Sequence, residues 1–125
     1  MMNLKKEFNK QAFLEKNGEF SKNKLKDFLI SEIEEDTLED TIIFLKCEIG
    51  KENERLKEDL YHGDKYDGII LDGNQYLIKK EGKQAIIIDA ISEEHSKETK
   101  FTRFELPIDT LLYIIINKDK ILEEL

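Results

Sequence analysis

The side chains able to do chemistry are few, and their spacing decides how much they can do. Asp67 precedes an apolar run, Gly68 to Leu71, and Lys79 closes the next one, Tyr76-Leu77-Ile78-Lys79. An Asp on one strand facing Glu-x-Lys on its neighbour would hold Mg²⁺ and orient a water for phosphodiester hydrolysis. The position two before Lys79 is Leu77, which cannot ligate a metal, so the pattern fails where the chemistry needs it. Asp67 and Asp72 then read as turn residues. His62 and His95 are the only imidazoles, each in a charged stretch, and His62-Gly63-Asp64 with Asp67 has no recognised ligand spacing. Cys47, the one cysteine, lies in an apolar helical stripe and reads as a small half-buried hydrophobe. Neither Gly-x-x-x-x-Gly-Lys nor Gly-x-Gly-x-x-Gly occurs, so no phosphate-cradling loop is present. No catalytic residue, metal ligand or cofactor is assigned, and the chain reads as a non-enzyme.

One further concentration of chemistry is electrostatic. The net charge is −8, and residues 31–60 hold eleven acids against four bases while residues 1–30 hold seven Lys against four acids. Glu32, Glu34, Glu35, Asp36, Glu39, Asp40, Glu48 and Glu52 are the candidate partner-binding residues, with Glu54, Glu58 and Asp59 beyond them. Gathered carboxylates repel phosphates, which excludes nucleic acid as a partner, because binding it relies on basic groups displacing counterions. They favour a basic protein partner, through steering and charge-assisted hydrogen bonds to Arg and Lys.

The elements that must position these acids follow from length and periodicity. A chain of 125 residues makes a single domain with one core. Met1 to Phe8 has no apolar signal core, and no apolar run approaches the roughly 20 residues of a membrane helix, so a cytoplasmic protein with no membrane contact is expected. The lone cysteine suits that compartment. Leu4, Phe8, Ala12 and Phe13 predict a helix over Asn3–Lys16, capped by Asn3 and stopped at Asn17-Gly18. Leu25, Phe28, Leu29 and Ile33 predict a second, from Ser21 or Asn23 to Glu35, whose bases lead and acids trail against the macrodipole. Thr37 with Asp40 reads as a capping box opening a third helix that runs to Gly50, the rival being a strand over Thr41–Leu45. Lys51 to His62 reads as a short exposed helix anchored by Leu56, Leu60 and Tyr61 and stopped by Gly63 in a left-handed cap.

From Tyr66 to Ile91 three apolar runs are separated by Asp72-Gly73 and Glu81-Gly82, which predicts an antiparallel meander with a type I′ hairpin at Asp72-Gly73. Consecutive apolar positions at Ile69-Ile70-Leu71 and Ile86-Ile87-Ile88 imply that both sheet faces are covered, either by helices on each side or by an association surface. Ser92 to Lys100 reads as a polar loop or hairpin end, and Lys100 to Leu106 as a fourth strand. Pro107 can open a helix whose stripe is Ile108, Leu111, Leu112, Ile115 and Ile116, with a break or bend at Asn117–Asp119. The expected fold is α+β: residues 1–62 mainly helical, a three- to four-stranded meander over 66–106, and a C-terminal helix over 107–125 packed on the sheet.

The compact acidic domain, its Lys/Ile/Glu/Asn-rich composition and the run Phe104-Glu105-Leu106-Pro107-Ile108-Asp109-Thr110-Leu111-Leu112 resemble the small immunity proteins of bacterial polymorphic toxin and contact-dependent growth-inhibition systems. The resemblance implies a cytoplasmic protein that binds and neutralises a cognate toxin domain, often a nuclease, and it transfers no functional residues. Two alternatives stand beside it: a phage-encoded inhibitor that mimics nucleic-acid phosphates with carboxylates, and a small metal-dependent hydrolase or nuclease using Asp67, Asp72, Asp89 or the histidines.

Overall fold

The computed structural model describes residues 8–48, 51–52, 56–96 and 101–125. Helix α1, Lys10–Asn17, opens where the Asn9 side chain accepts the Ala12 amide at 2.9 Å and closes at Gly18, whose φ of 92° needs glycine. The expected start at Asn3 falls among residues 1–7, outside the described residues. Phe13 is buried and Ala12 exposed, so the stripe turns on Phe13. Helix α2, Phe20–Ser31, ends four residues earlier than the periodicity predicts. The reason is tertiary: Ile33 is drawn into the core and Glu32 is turned toward the β-sheet.

Helix α3, Glu35–Lys46, confirms the helical reading over the strand rival. Its box is shifted by one turn, with Glu34 as N-cap and Thr37 as the residue answering it: the Glu34 amide donates to Thr37 Oγ1 at 2.9 Å. The shift also removes the macrodipole conflict. The acids expected to trail α2 open α3 instead, and Glu35 and Asp36 sit in its first turn where the dipole favours them. The helix stops at Cys47, short of the expected Gly50, which lies outside the described residues. Farther on, a 3₁₀ turn at Lys57–Asp59 replaces part of the expected exposed helix, residues 53–55 of which are outside the described residues. Leu56 and Leu60 are buried, and Gly63 is not left-handed. Leu60 must run extended because it bridges Leu71, and the Tyr61 amide donates to the Ile70 carbonyl at 2.8 Å.

Four antiparallel strands follow in the order β1-β2-β3-β4: β1 Ile70–Asp72, β2 Tyr76–Glu81, β3 Gln84–Asp89 and β4 Arg103–Pro107. The register Glu81↔Gln84 leaves Gly82-Lys83 as a two-residue turn, with Gly82 at φ 59°. At Asp72-Gly73 the type I′ hairpin does not form. Asp72 pairs with Leu77, Gly73 lacks a positive φ, and the four-residue connection is held from outside by Glu32. Between β3 and β4 the expected polar loop is in part a short helix, α4, Ala90–Glu94, capped by Asp89, with residues 97–100 outside the described residues.

Period-two alternation sends Leu71, Ile78, Ile87 and Phe104 from adjacent strands to one face. There they meet Phe28, Phe44, Leu29 and the terminal helices α5, Ile108–Ile116, and α6, Lys118–Glu124. Each such side chain contributes roughly 1.5–3 kcal/mol by leaving water. Ile70, Leu77 and Ile88 form a smaller cluster on the opposite face beneath Tyr61 and Tyr66, so both faces carry buried apolar side chains, the second covered by a non-helical segment rather than by a helix layer. Pro107 ends β4 in extended conformation just ahead of α5, and the C-terminal helix breaks at Asn117. The break lets Ile121 enter the core and Lys118 Nζ reach the Ile33 carbonyl at 2.6 Å. Both sheet edges are occupied: the Leu60 bridge lies along β1, and the Asn17 amide takes the Glu105 amide and carbonyl of β4 at 2.8 and 2.9 Å. No helix is long and apolar enough to cross a membrane among the described residues.

Candidate functional site

The eight acids singled out by the sequence do not share one surface. Glu32 is buried, its Oε1 accepting the Asn74 amide at 3.0 Å and its Oε2 the Gln75 amide at 2.9 Å. Glu52 is also buried, 2.6 Å from Lys80 Nζ, with the two side chains 0% and 2% exposed. These two belong to the interior, and assigning them to a partner-facing surface is corrected by that burial. Glu34, Glu35, Asp36 and Glu39 are exposed around the first turns of α3. Glu48 is exposed beyond the opposite end of that helix, which is roughly 18 Å long at 1.5 Å per residue.

Asp40 is half-buried and faces inward, and it marks the site that the folded chain does build. A cleft of about 270 Å³ opens between α3, the 3₁₀ turn and the β1–β2 hairpin. Its floor is apolar, made by Phe28, Ile33, Leu71, Tyr76 and Ile78, all buried. Its rim carries Asp40 from α3, Glu58 and Asp59 from the 3₁₀ turn, and Asp72 from β1. Among the described residues none of these four carboxylates enters an ion pair. Like charges brought round one cavity raise a negative potential inside it, and the low-dielectric floor strengthens that potential. The fitting occupant has an aliphatic stem and a cationic head.

The rim differs from two carboxylates turned inward elsewhere, Asp89 and Glu93, which are satisfied by donors. Asp89 is buried, which by itself raises its pKa, but hydrogen bonds from Lys24 Nζ at 2.5 Å, from the Ser92 amide and hydroxyl, and from Gln75 outweigh burial and hold it below the usual range. Glu93 follows the same balance: burial raises its pKa, but Arg103, Thr102 and Tyr66 donate to it and outweigh burial, leaving it lowered. That bond to Glu93 raises the Arg103 pKa in turn. Burial, then Glu93, pushes the Tyr66 hydroxyl up to about 12. The Tyr76 hydroxyl, raised by burial and by its 2.7 Å bond to Asp27, stays protonated across the ordinary range.

Asp67 is exposed, Asp72 sits on the cleft rim, Asp89 is consumed as a helix cap, and His62 and His95 are both exposed. Among the described residues no three His, Cys, Asp or Glu side chains are placed to hold a metal ion. Lys24 stands 3.2 Å from Ser92 Oγ, the approach expected of a serine–lysine pair, but there the lysine is the donor and is also paired with Asp89, and the Ser92 hydroxyl donates to Asp89 rather than to the lysine. Cys47 is half-buried at the end of α3, as expected of a small hydrophobe.

Sequence reasoning missed Lys80 altogether, and it named Asp72 only as a turn residue or hydrolase candidate, not as part of a rim. For Lys80 a signal existed: alternation places it on the same face as Tyr76 and Ile78, inward. There its ammonium donates to the Phe44 and Cys47 carbonyls at 2.6 and 2.9 Å, closing the C-terminal end of α3, and lies 4.5 Å over the Phe44 ring. For Asp72 no local signal exists, because its role depends on which helix the hairpin packs beside.

The architecture defines an α+β domain with a carboxylate-rimmed cleft between helix and hairpin. Compared with known protein families, curated proteins and solved structures, the chain has no match in any of the three.

Proposed function

We propose that this chain is a non-enzymatic binding protein that takes a basic protein partner, with one or more Lys or Arg side chains seated in the cleft between α3 and the β1–β2 hairpin. The observation that carries the reading is the rim of Asp40, Glu58, Asp59 and Asp72, without an ion pair among the described residues, over an apolar floor. Burying such a rim against a cation gains charge-assisted hydrogen bonds, and the exposed Glu34, Glu35, Asp36 and Glu39 at the start of α3 add to the negative field that steers the approach. The biological role that fits is immunity: neutralising a cognate bacterial toxin in the cytoplasm by covering a basic surface such as a nuclease's substrate groove. That narrower step is supported by the resemblance of the acidic domain and its Phe104–Leu112 run.

The test is co-expression with the toxin domain encoded beside the gene, read as growth and as affinity of the purified pair. The native chain is expected to restore growth, and the variant Asp40→Lys/Asp59→Lys/Asp72→Lys to lose both protection and at least about a hundredfold in affinity, with a melting temperature close to native. Full protection by the triple variant would rule out the cleft as the interface.

A further inference from the structure

The two walls of the cleft are joined by Glu32, which itself lines the cavity. Glu32 lies in the connection between α2 and α3, and its carboxylate spans to the β1–β2 turn, one oxygen on the Asn74 amide and the other on the Gln75 amide. Its own carbonyl accepts the Thr37 hydroxyl at 2.6 Å, so the first turn of α3 grips the same residue from the other side. The turn is shaped to admit the carboxylate. A Cβ on Gly73 would collide with Glu32 Oε1 and with the Tyr76 carbonyl, so only glycine lets the chain pass this close.

We infer that Glu32 is the positioning residue of the cleft: it fixes the hairpin wall that carries Asp72 against the helical wall that carries Asp40, so that the cavity is organised before any partner arrives. The inference rests on the binding reading above. Both Glu32 oxygens are already engaged by backbone N–H groups, whereas among the described residues the rim carboxylates enter no ion pair, so Glu32 lines the cleft with a carboxylate committed to holding it. A preformed cleft spares the partner the cost of ordering the turn. The sequence-level role of Glu32 as a contact residue is thereby replaced by a role one step removed.

The experiment compares the native chain with Glu32→Ala, Glu32→Gln and Gly73→Ala, at a temperature where each remains folded. Amide exchange is read at Asn74 and Gln75, and affinity is read for an octalysine peptide. Loss of two charge-assisted hydrogen bonds is expected to raise exchange at both amides at least about tenfold in Glu32→Ala, with Ile78 and Ile87 unchanged. Glu32→Gln keeps one acceptor and releases at least one of the two amides, which preserves the test if the alanine variant fails to fold. For affinity, Asp72→Asn is expected to weaken octalysine binding in the native background and to have little further effect beside Glu32→Ala, whereas Asp40→Asn weakens it in both. A residue that only supported overall stability would leave the Asp72 effect the same in both backgrounds. That equality, or native exchange at Asn74 and Gln75 in Glu32→Ala, would overturn the inference. If the native chain left octalysine unbound, the cleft reading would fall, and the exchange result alone would decide whether Glu32 fixes the turn.

Discussion

Replacing Lys80 by Met tests how the interior is held together. The Lys80 ammonium makes three contacts from β2: Glu52 at 2.6 Å, the Phe44 carbonyl at 2.6 Å and the Cys47 carbonyl at 2.9 Å. Met fills similar space, so little cavity forms and the cost is electrostatic. Breaking a buried pair leaves one charge without its counter-ion in low dielectric, a loss of about 3–5 kcal/mol. For 125 residues the unfolding entropy is near 0.26 kcal/mol per kelvin, so the melting temperature should fall by roughly 11–19 °C. Lys80→Met/Glu52→Met removes both charges and should recover most of that loss. The remainder is the two carbonyls at the end of α3, left without their donor. The assay is thermal and urea unfolding of the two singles and the double near neutral pH. A single substitution costing less than about 1 kcal/mol, or a double as unstable as the sum of the singles, would refute a buried ion pair as the link between β2 and α3.

Acid should destabilise the protein through Asp89 and Glu93. Both folded carboxyls hold their charge below their ordinary values of 3.8 and 4.5, so their stabilisation is complete above those values and is lost as pH falls through the lower folded ones. Asp89→Asn/Glu93→Gln should be less stable than native near neutral pH yet lose less between about pH 5 and about pH 3, and parallel curves by circular dichroism would contradict the assignment. Asn17→Ala removes the two hydrogen bonds that close the β4 edge, a loss of about 1–2 kcal/mol or roughly 4–8 °C. It should also promote concentration-dependent association, because an open strand edge invites pairing, and light scattering will show whether the variant stays as dispersed as the native chain.

Much of the scaffold was legible because it is written in local periodicity. Apolar residues at i, i+3 and i+4 marked α2, α3 and α5, and two glycine-containing interruptions marked the strands of the meander. Such signals are intrinsic to the chain, since a helix or strand needs its own apolar face whatever it packs against. The boundaries that moved are those set by distant partners. α2 stops at Ser31 because Glu32 is wanted by a turn more than forty residues away, and the Asp72-Gly73 turn opens because that carboxylate enters it. The same holds for the acids. Composition determined that residues 31–60 are rich in carboxylate, but a charge count has no direction. Packing alone decided that Glu32 and Glu52 turn inward, that Glu34 to Glu39 stay in water, and that Asp72 crosses from the sheet to complete the rim with Asp40. Charge is a property of single residues and can be counted along the chain, whereas a cleft is a relation among segments that meet only when the core closes.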